Sequence, residues 1–137
     1  MPTTRTRKTK VSVQYAVPRR GVPGAAFLRR WAIIPVTLRI VGEAEGRRLN
    51  GTFRRKKHAT NVLTFTTGDI VLCHPVIRRE ARAQGKSVAD HYAHLVVHGC
   101  LHLRGYAHEK KRDAARMEAR EIRILRRAGI RNPYTVE

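Results

Sequence analysis

Two β-prone runs, NVLTFT from Asn61 and DIVLCH from Asp69, are separated only by Thr67 and Gly68, and no other local feature constrains the fold as tightly. Runs this close cannot enter a sheet in parallel, because a parallel pair needs a crossover of about a dozen residues or more. They form a hairpin, so the sheet contains an antiparallel pair. Val11, Val13, Tyr15 and Val17 alternate with Ser12, Gln14 and Ala16 as an earlier strand, and Val36, Leu38 and Ile40 alternate as another. Elsewhere the apolar spacing lengthens to that of helices. Ala25, Phe27, Leu28, Trp31 and Ala32 mark one over Pro23 to Ile34, and Ala44, Leu49 and Phe53 mark a short one over Gly42 to Arg54. Pro75 opens a third that Gly85 closes, Ser87 and Asp90 start a fourth running to about Arg104, and Met117, Ile124 and Leu125 mark a fifth over Lys111 to Ala128. The expected class is α+β: a small mixed four-stranded sheet packed with about five helices.

At 137 residues the chain is long enough for one core without staples. The reading is a mobile basic arm over residues 1–10 and a single domain over 11–137. Charge narrows its partners. Twenty-nine Lys and Arg stand against ten Asp and Glu, a formal +19, and no acid precedes Glu43. A surplus of that sign draws a chain to polyanions, since each neutralised phosphate releases condensed counterions, and nucleic acid is the expected partner. The longest apolar runs, such as Trp31 to Val36, fall far short of the roughly 20 residues that span a bilayer, so no membrane role is expected. Cys73 and Cys100 alone do not make a disulfide framework, which fits a reducing cytoplasm.

The chemistry sits in HGCLHLRGYAH, His98 to His108. His98 and His102 are four apart, so on a helix of about 3.6 residues per turn both rings project from one face. Gly105 permits the left-handed turn that ends a helix, which lets the chain bring His108 back to the same point. Three imidazoles leave one position of a tetrahedral ion open, as in catalytic zinc sites. The HxxxHxxxxxH spacing matches the ligands of the metzincin proteases, giving a metzincin-like zinc-site architecture. Those enzymes carry a glutamate directly after the first ligand, and here that residue is Gly99. Without the carboxylate a zinc peptidase is disfavoured. Zinc can also activate water and stabilise charge on a phosphoryl oxygen, and the basic composition makes a phosphodiester the better target.

Other residues have lesser claims. His94 and His91, one and two turns before His98, read as supporting residues, because the helical rise carries them away from the three-histidine centre. His58 and His74 are weaker candidates still. Cys100 reads as a small core residue. Thr60 and Asn61 are candidates to shape a cleft.

HGCLHLRGYAH strongly resembles the HGxLHLxGYDH signature of the YbeY family of endoribonucleases. LNGTFRRKKHATNVLTF, Leu49 to Phe65, resembles the family's segment in which an arginine precedes a TNVLSF-like strand; GDIVLC from Gly68 resembles its GDIVI-like strand. With the terminal helix and NPY at Asn132 to Tyr134, the likeness covers roughly residues 36–134. It implies a zinc-dependent, single-strand-specific endoribonuclease of ribosomal RNA processing, acting at the 3′ end of the small-subunit RNA and in ribosome quality control. The partners it implies are single-stranded RNA, ribosomal RNA and the small ribosomal subunit. It further implies that His98, His102 and His108 hold one Zn2+ and that Arg54 is the active-site arginine, whose forked guanidinium suits a phosphate. From the residues alone, the preferred reading of Arg54 is one more surface arginine in RRKK. Ala107 stands where the family has aspartate, and an acid of the family is replaced at about Lys57. A ribosome-associated RNA-binding factor with a structural or vestigial metal is the alternative.

Overall fold

The computed structural model describes residues 10–54, 58–105, 111–130 and 132–134, with the side chains of 53, 54 and 111–114 left out. Its elements run β1 (Ser12–Tyr15), α1 (Ala25–Trp31), β2 (Thr37–Val41), α2 (Glu43–Arg54), β3 (Val62–Phe65), β4 (Asp69–Cys73), α3 (His74–Gln84), α4 (Val88–Leu103) and α5 (Lys111–Arg127). The four strands form one sheet in the order β1-β2-β4-β3. β1 and β2 pair in parallel, as do β2 and β4, while β3 runs antiparallel to β4. The mixed sheet and five helices expected from the alternation are therefore present.

The hairpin closes with Phe65 opposite Asp69. Its loop has three residues, Thr66 to Gly68, where two were expected, because the Gly68 N–H donates back to the Phe65 carbonyl at 2.9 Å and takes Thr66 out of the strand. α1 is also shorter than its apolar spacing. The chain turns extended at Ala32 (ψ 102°), and Ile34 precedes Pro35, a position that disfavours helical backbone. α4 starts as expected: the Ser87 side-chain oxygen accepts the Asp90 N–H at 3.0 Å.

Alternation along the central strands divides the core. Leu38, Ile40, Ile70 and Leu72 join α1, α4 and α5 residues such as Leu28, Val97, Leu101 and Leu125 on one face. Val41, Leu63, Val71 and Cys73 meet Leu49 of α2 on the other. Cys73 and Cys100 are both buried, free thiols, as a core reading of Cys100 requires. α4 lies against β3, β4 and three helices, and β3 is an edge strand. Among the described residues, no helix is long and apolar enough to cross a membrane.

Candidate functional site

α4 is the central helix, and its burial pattern singles out its histidines. From His91 to Leu101 every residue is buried except His94 and His98, and His102 continues that line four residues on. A helix enclosed on nearly all sides thus opens along a single row of imidazoles. The His98 and His102 rings stack in parallel, with centroids 6.4 Å apart and planes at 11°, whereas the His94 and His98 rings meet edge to face at 5.9 Å. Helical spacing alone brings the His98 and His102 side chains together. Arg104 then caps the helix and Gly105 adopts φ 105°, the left-handed turn the sequence anticipates. His108, Ala107 and Lys57 lie outside the described residues, as do residues 1–9 of the basic arm. Arg54 is the last residue of α2, and its side chain lies outside the described atoms.

Close approach to the sheet explains Gly99. A Cβ there would stand 3.0 Å from Ile70 Cδ1 and 3.3 Å from Thr64 Cγ2, so the residue after the first histidine is turned into β3 and β4. A glutamate at this position would face packed apolar atoms.

Behind the row stands Glu121 of α5, with none of its surface exposed. A buried carboxylate is tolerated only when its oxygens are matched by donors. Here Oε1 accepts from His98 Nδ1 and Oε2 accepts the Tyr134 hydroxyl. His94 Nε2 lies 3.7 Å from Oε1, and burial holds the His94 pKa down at about 3, so the ring is neutral and the contact is no ion pair. Two turns back, the Nε2 of buried His91 meets Glu80 Oε1 at 2.8 Å, and Asn61 Nδ2 donates to the same oxygen at 2.9 Å. Burial also lowers the His91 pKa.

A cleft of about 330 Å³ opens at the edge strand, lined by His98, His102, Thr60, Thr64, Asn50 and His58 among others. α4 and the α2–β3 connection supply its walls on either side of β3. Asn50 Nδ2 donates to the His58 carbonyl at 2.6 Å, which ties that connection to α2. Thr60 shapes this cleft as anticipated, whereas Asn61 lines a larger one of about 1,110 Å³ beside His91 and Tyr134. His74 is remote in role, its Nδ1 bonded to the Tyr92 hydroxyl at 2.7 Å in the core.

These residues suit a metal ion in two ways. Donor atoms of His94, His98 and Glu121 lie within 4.8 Å of one another, a group that could hold an ion. In that group, however, the carboxylate oxygens already accept from His98 and Tyr134. On the cleft side, His98 and His102 line the cavity together while His98 Nδ1 is bonded to Glu121, and a carboxylate behind a ligating imidazole is the usual support of such ligands. Sequence reasoning placed His91 and His94 in supporting roles but missed Glu121. Its signal was present: Glu121 falls midway between Met117 and Leu125, a carboxylate at the four-residue spacing of a buried stripe.

Fold and site define an α+β protein with a histidine-lined cleft, backed by a buried carboxylate, that could hold a metal. The chain belongs to the YbeY family: the family described as "Endoribonuclease YbeY" matches residues 25–129. The endoribonuclease YbeY of Aromatoleum aromaticum is 50% identical over 125 residues, covering 82% of this chain and 81% of the relative. That of Bordetella avium is 48% identical over 149 residues, covering 90% and 92%. A Thermotoga maritima protein of known solution structure shares the fold with a TM-score of 0.54 at 22% identity, over 86% of this chain and 91% of that one.

Proposed function

We propose that this chain is a zinc-dependent, single-strand-specific endoribonuclease that processes ribosomal RNA, at the 3′ end of the small-subunit RNA and in ribosome quality control. Membership of a family described as endoribonucleases supports the reaction class. The stacked His98 and His102 rings beside the edge-strand cleft are the observation that carries the reading to this site. His98, His102 and His108, in a metzincin-like arrangement, would hold the ion, which supplies Lewis acidity at a phosphoryl oxygen. Glu121 accepts the His98 Nδ1 proton and so orients the ring. Arg54, at the end of α2, binds the scissile phosphate with a forked pair of hydrogen bonds. The +19 charge recruits single-stranded RNA and the small ribosomal subunit. Four acids that would oppose this, Glu43, Glu45, Glu80 and Glu121, are engaged with Arg79, Arg39, His91 and His98. Residues 11–137 act as one domain with a basic arm before it, in the cytoplasm, where two free thiols belong.

The test is cleavage of single-stranded RNA by the purified protein beside His98→Ala and His102→Ala variants. Loss of cleavage in the variants is expected, and undiminished cleavage overturns the metal-centred reading. Ala107, in place of the family's aspartate, favours a second reading, an RNA-binding factor without catalysis. In that case the wild type binds RNA and leaves it intact.

A further inference from the structure

The larger cleft, of about 1,110 Å³, adjoins the smaller one. Thr60 lines the smaller and Asn61 the larger, and along α4 His98 lines the first and His94 the second, with ring centroids 5.9 Å apart. An extended strand leaving the first cleft towards the start of α4 enters the second. The walls it meets there suit a base and not a phosphate. In a chain of formal charge +19, Glu80 and Asp90 line this cleft, and among the described residues Lys86 is the single Lys or Arg that does. His91 lines it too, and its Nδ1 has no hydrogen-bond partner although the ring is nearly buried. Such an unmet atom in a cleft wall points to a ligand.

Tyr134 supplies a platform in this cleft. It is the exposed large hydrophobic side chain among the described residues, 38% accessible, with its hydroxyl turned inward to Glu121. The ring meets His94 edge to face at 84°, a contact that occupies at most one of its faces. An aromatic face at a polar cleft is what stacks an unpaired base. Glu80 supplies an edge. Its Oε1 is held by His91 Nε2 at 2.8 Å and Asn61 Nδ2 at 2.9 Å, which fixes the carboxylate, and Oε2 has no partner among the described residues. An oxygen with two lone pairs accepts two N–H groups set side by side. Guanine presents that pair in its N1–H and its 2-amino group; adenine and cytosine set an acceptor nitrogen beside their amino group, and uracil flanks its N–H with carbonyl oxygens. We propose that the larger cleft is a guanine subsite for the RNA strand, in which Tyr134 stacks the base and Glu80 accepts its two N–H groups. The subsite's place on a substrate rests on the reading of the chain as a ribonuclease; its recognition of the base does not.

Guanosine, inosine and uridine 5′-monophosphates are the probes, titrated against the full chain while NMR follows the methyl signals of Leu95 and Ile130, which line the cleft. The guanine nucleotide should bind about tenfold more tightly than the inosine nucleotide, which lacks only the 2-amino group. Tyr134→Leu should weaken it about fivefold or more, whereas Tyr134→Phe, which keeps the ring and loses the hydroxyl, should stay within about twofold of wild type. Glu80→Gln should abolish the preference for guanine over inosine. Equal affinity for the three nucleotides, or a Tyr134→Leu protein that binds as the wild type does, overturns the subsite even where single-stranded RNA is cleaved. A Tyr134-dependent preference for guanine in a protein that cleaves no RNA upholds the subsite and overturns the ribonuclease reading. If Tyr134→Leu does not fold, the guanine-to-inosine ratio of Glu80→Gln decides, and an undiminished ratio overturns the proposal.

Discussion

Two histidine–glutamate pairs lie two turns apart on α4, and their burial is opposite. In the first, the His91 side chain is 4% exposed and Glu80 is 34% exposed. In the second, His98 is 22% exposed and Glu121 not at all. Both carboxylates come from a neighbouring helix, α3 in one pair and α5 in the other. Yet Glu80 also gathers Asn61 from just before β3, so that the first pair fastens three segments around a nearly buried ring. The second pair seals the acid and leaves the ring at a cleft. The same hydrogen bond serves as a fastening or as a mount, according to which partner retains access to solvent.

The largest expected effect separates the pairs by function. His98→Ala should reduce the rate of single-stranded RNA cleavage on the order of 10³-fold, as loss of several kcal/mol of charge stabilisation implies. His91→Ala should stay within about threefold of wild type in initial rate at the temperature where both are folded. Equal losses would erase the distinction. Next comes the side of α4 that neither pair occupies. Gly99→Glu would restore the residue pattern of a zinc peptidase, but its side chain meets Ile70 and Thr64. The variant should lose about 3 kcal/mol or more to overpacking and a buried charge, read from urea unfolding, and should hydrolyse no peptide. Peptide cleavage by a stable Gly99→Glu protein would reverse the choice of substrate class. A smaller loss, about 2 kcal/mol in the same unfolding experiment, is expected for His91→Ala, which empties a core position and releases Glu80 and Asn61 from a common anchor.

The comparison also shows where sequence is informative. The hairpin, the helix carrying His98 and His102, and the Ser87 cap depend on neighbours within a few residues, and periodicity reports such neighbours directly. Strand order does not follow from it: β1 and β4 flank β2 through pairings between segments 25 and 32 residues apart. Glu121 stayed hidden for a related reason. Charge on a mostly polar helix reads as solvated surface, and only the arrival of His98 and Tyr134 from 23 and 13 residues away turns that carboxylate into a buried acceptor. The resemblance carried by His98 to His108 pointed to His98 and His102, which line the cleft, without revealing Glu121 behind them.

Acid should distinguish the pairs most subtly. Burial holds the His91 pKa below its ordinary value, with Lys86 adding to the depression and Glu80 opposing it. An unfolded chain has a histidine pKa of about 6.5, so as pH falls below that value the unfolded state takes up a proton that folded His91 resists. The stability linked to His91 is therefore intact above about pH 6.5 and declines as pH falls towards the depressed folded value. The wild type should unfold at lower urea concentration at pH 5.5 than at pH 7.5, a window above the range where most carboxylates titrate. His91→Gln should flatten that decline without abolishing it, because burial lowers the pKa of His74 and His94 as well. A variant that keeps the full slope would show that His91 is charged in the folded protein, and the contrast between a sealed ring and a mounted one would rest on His98 alone.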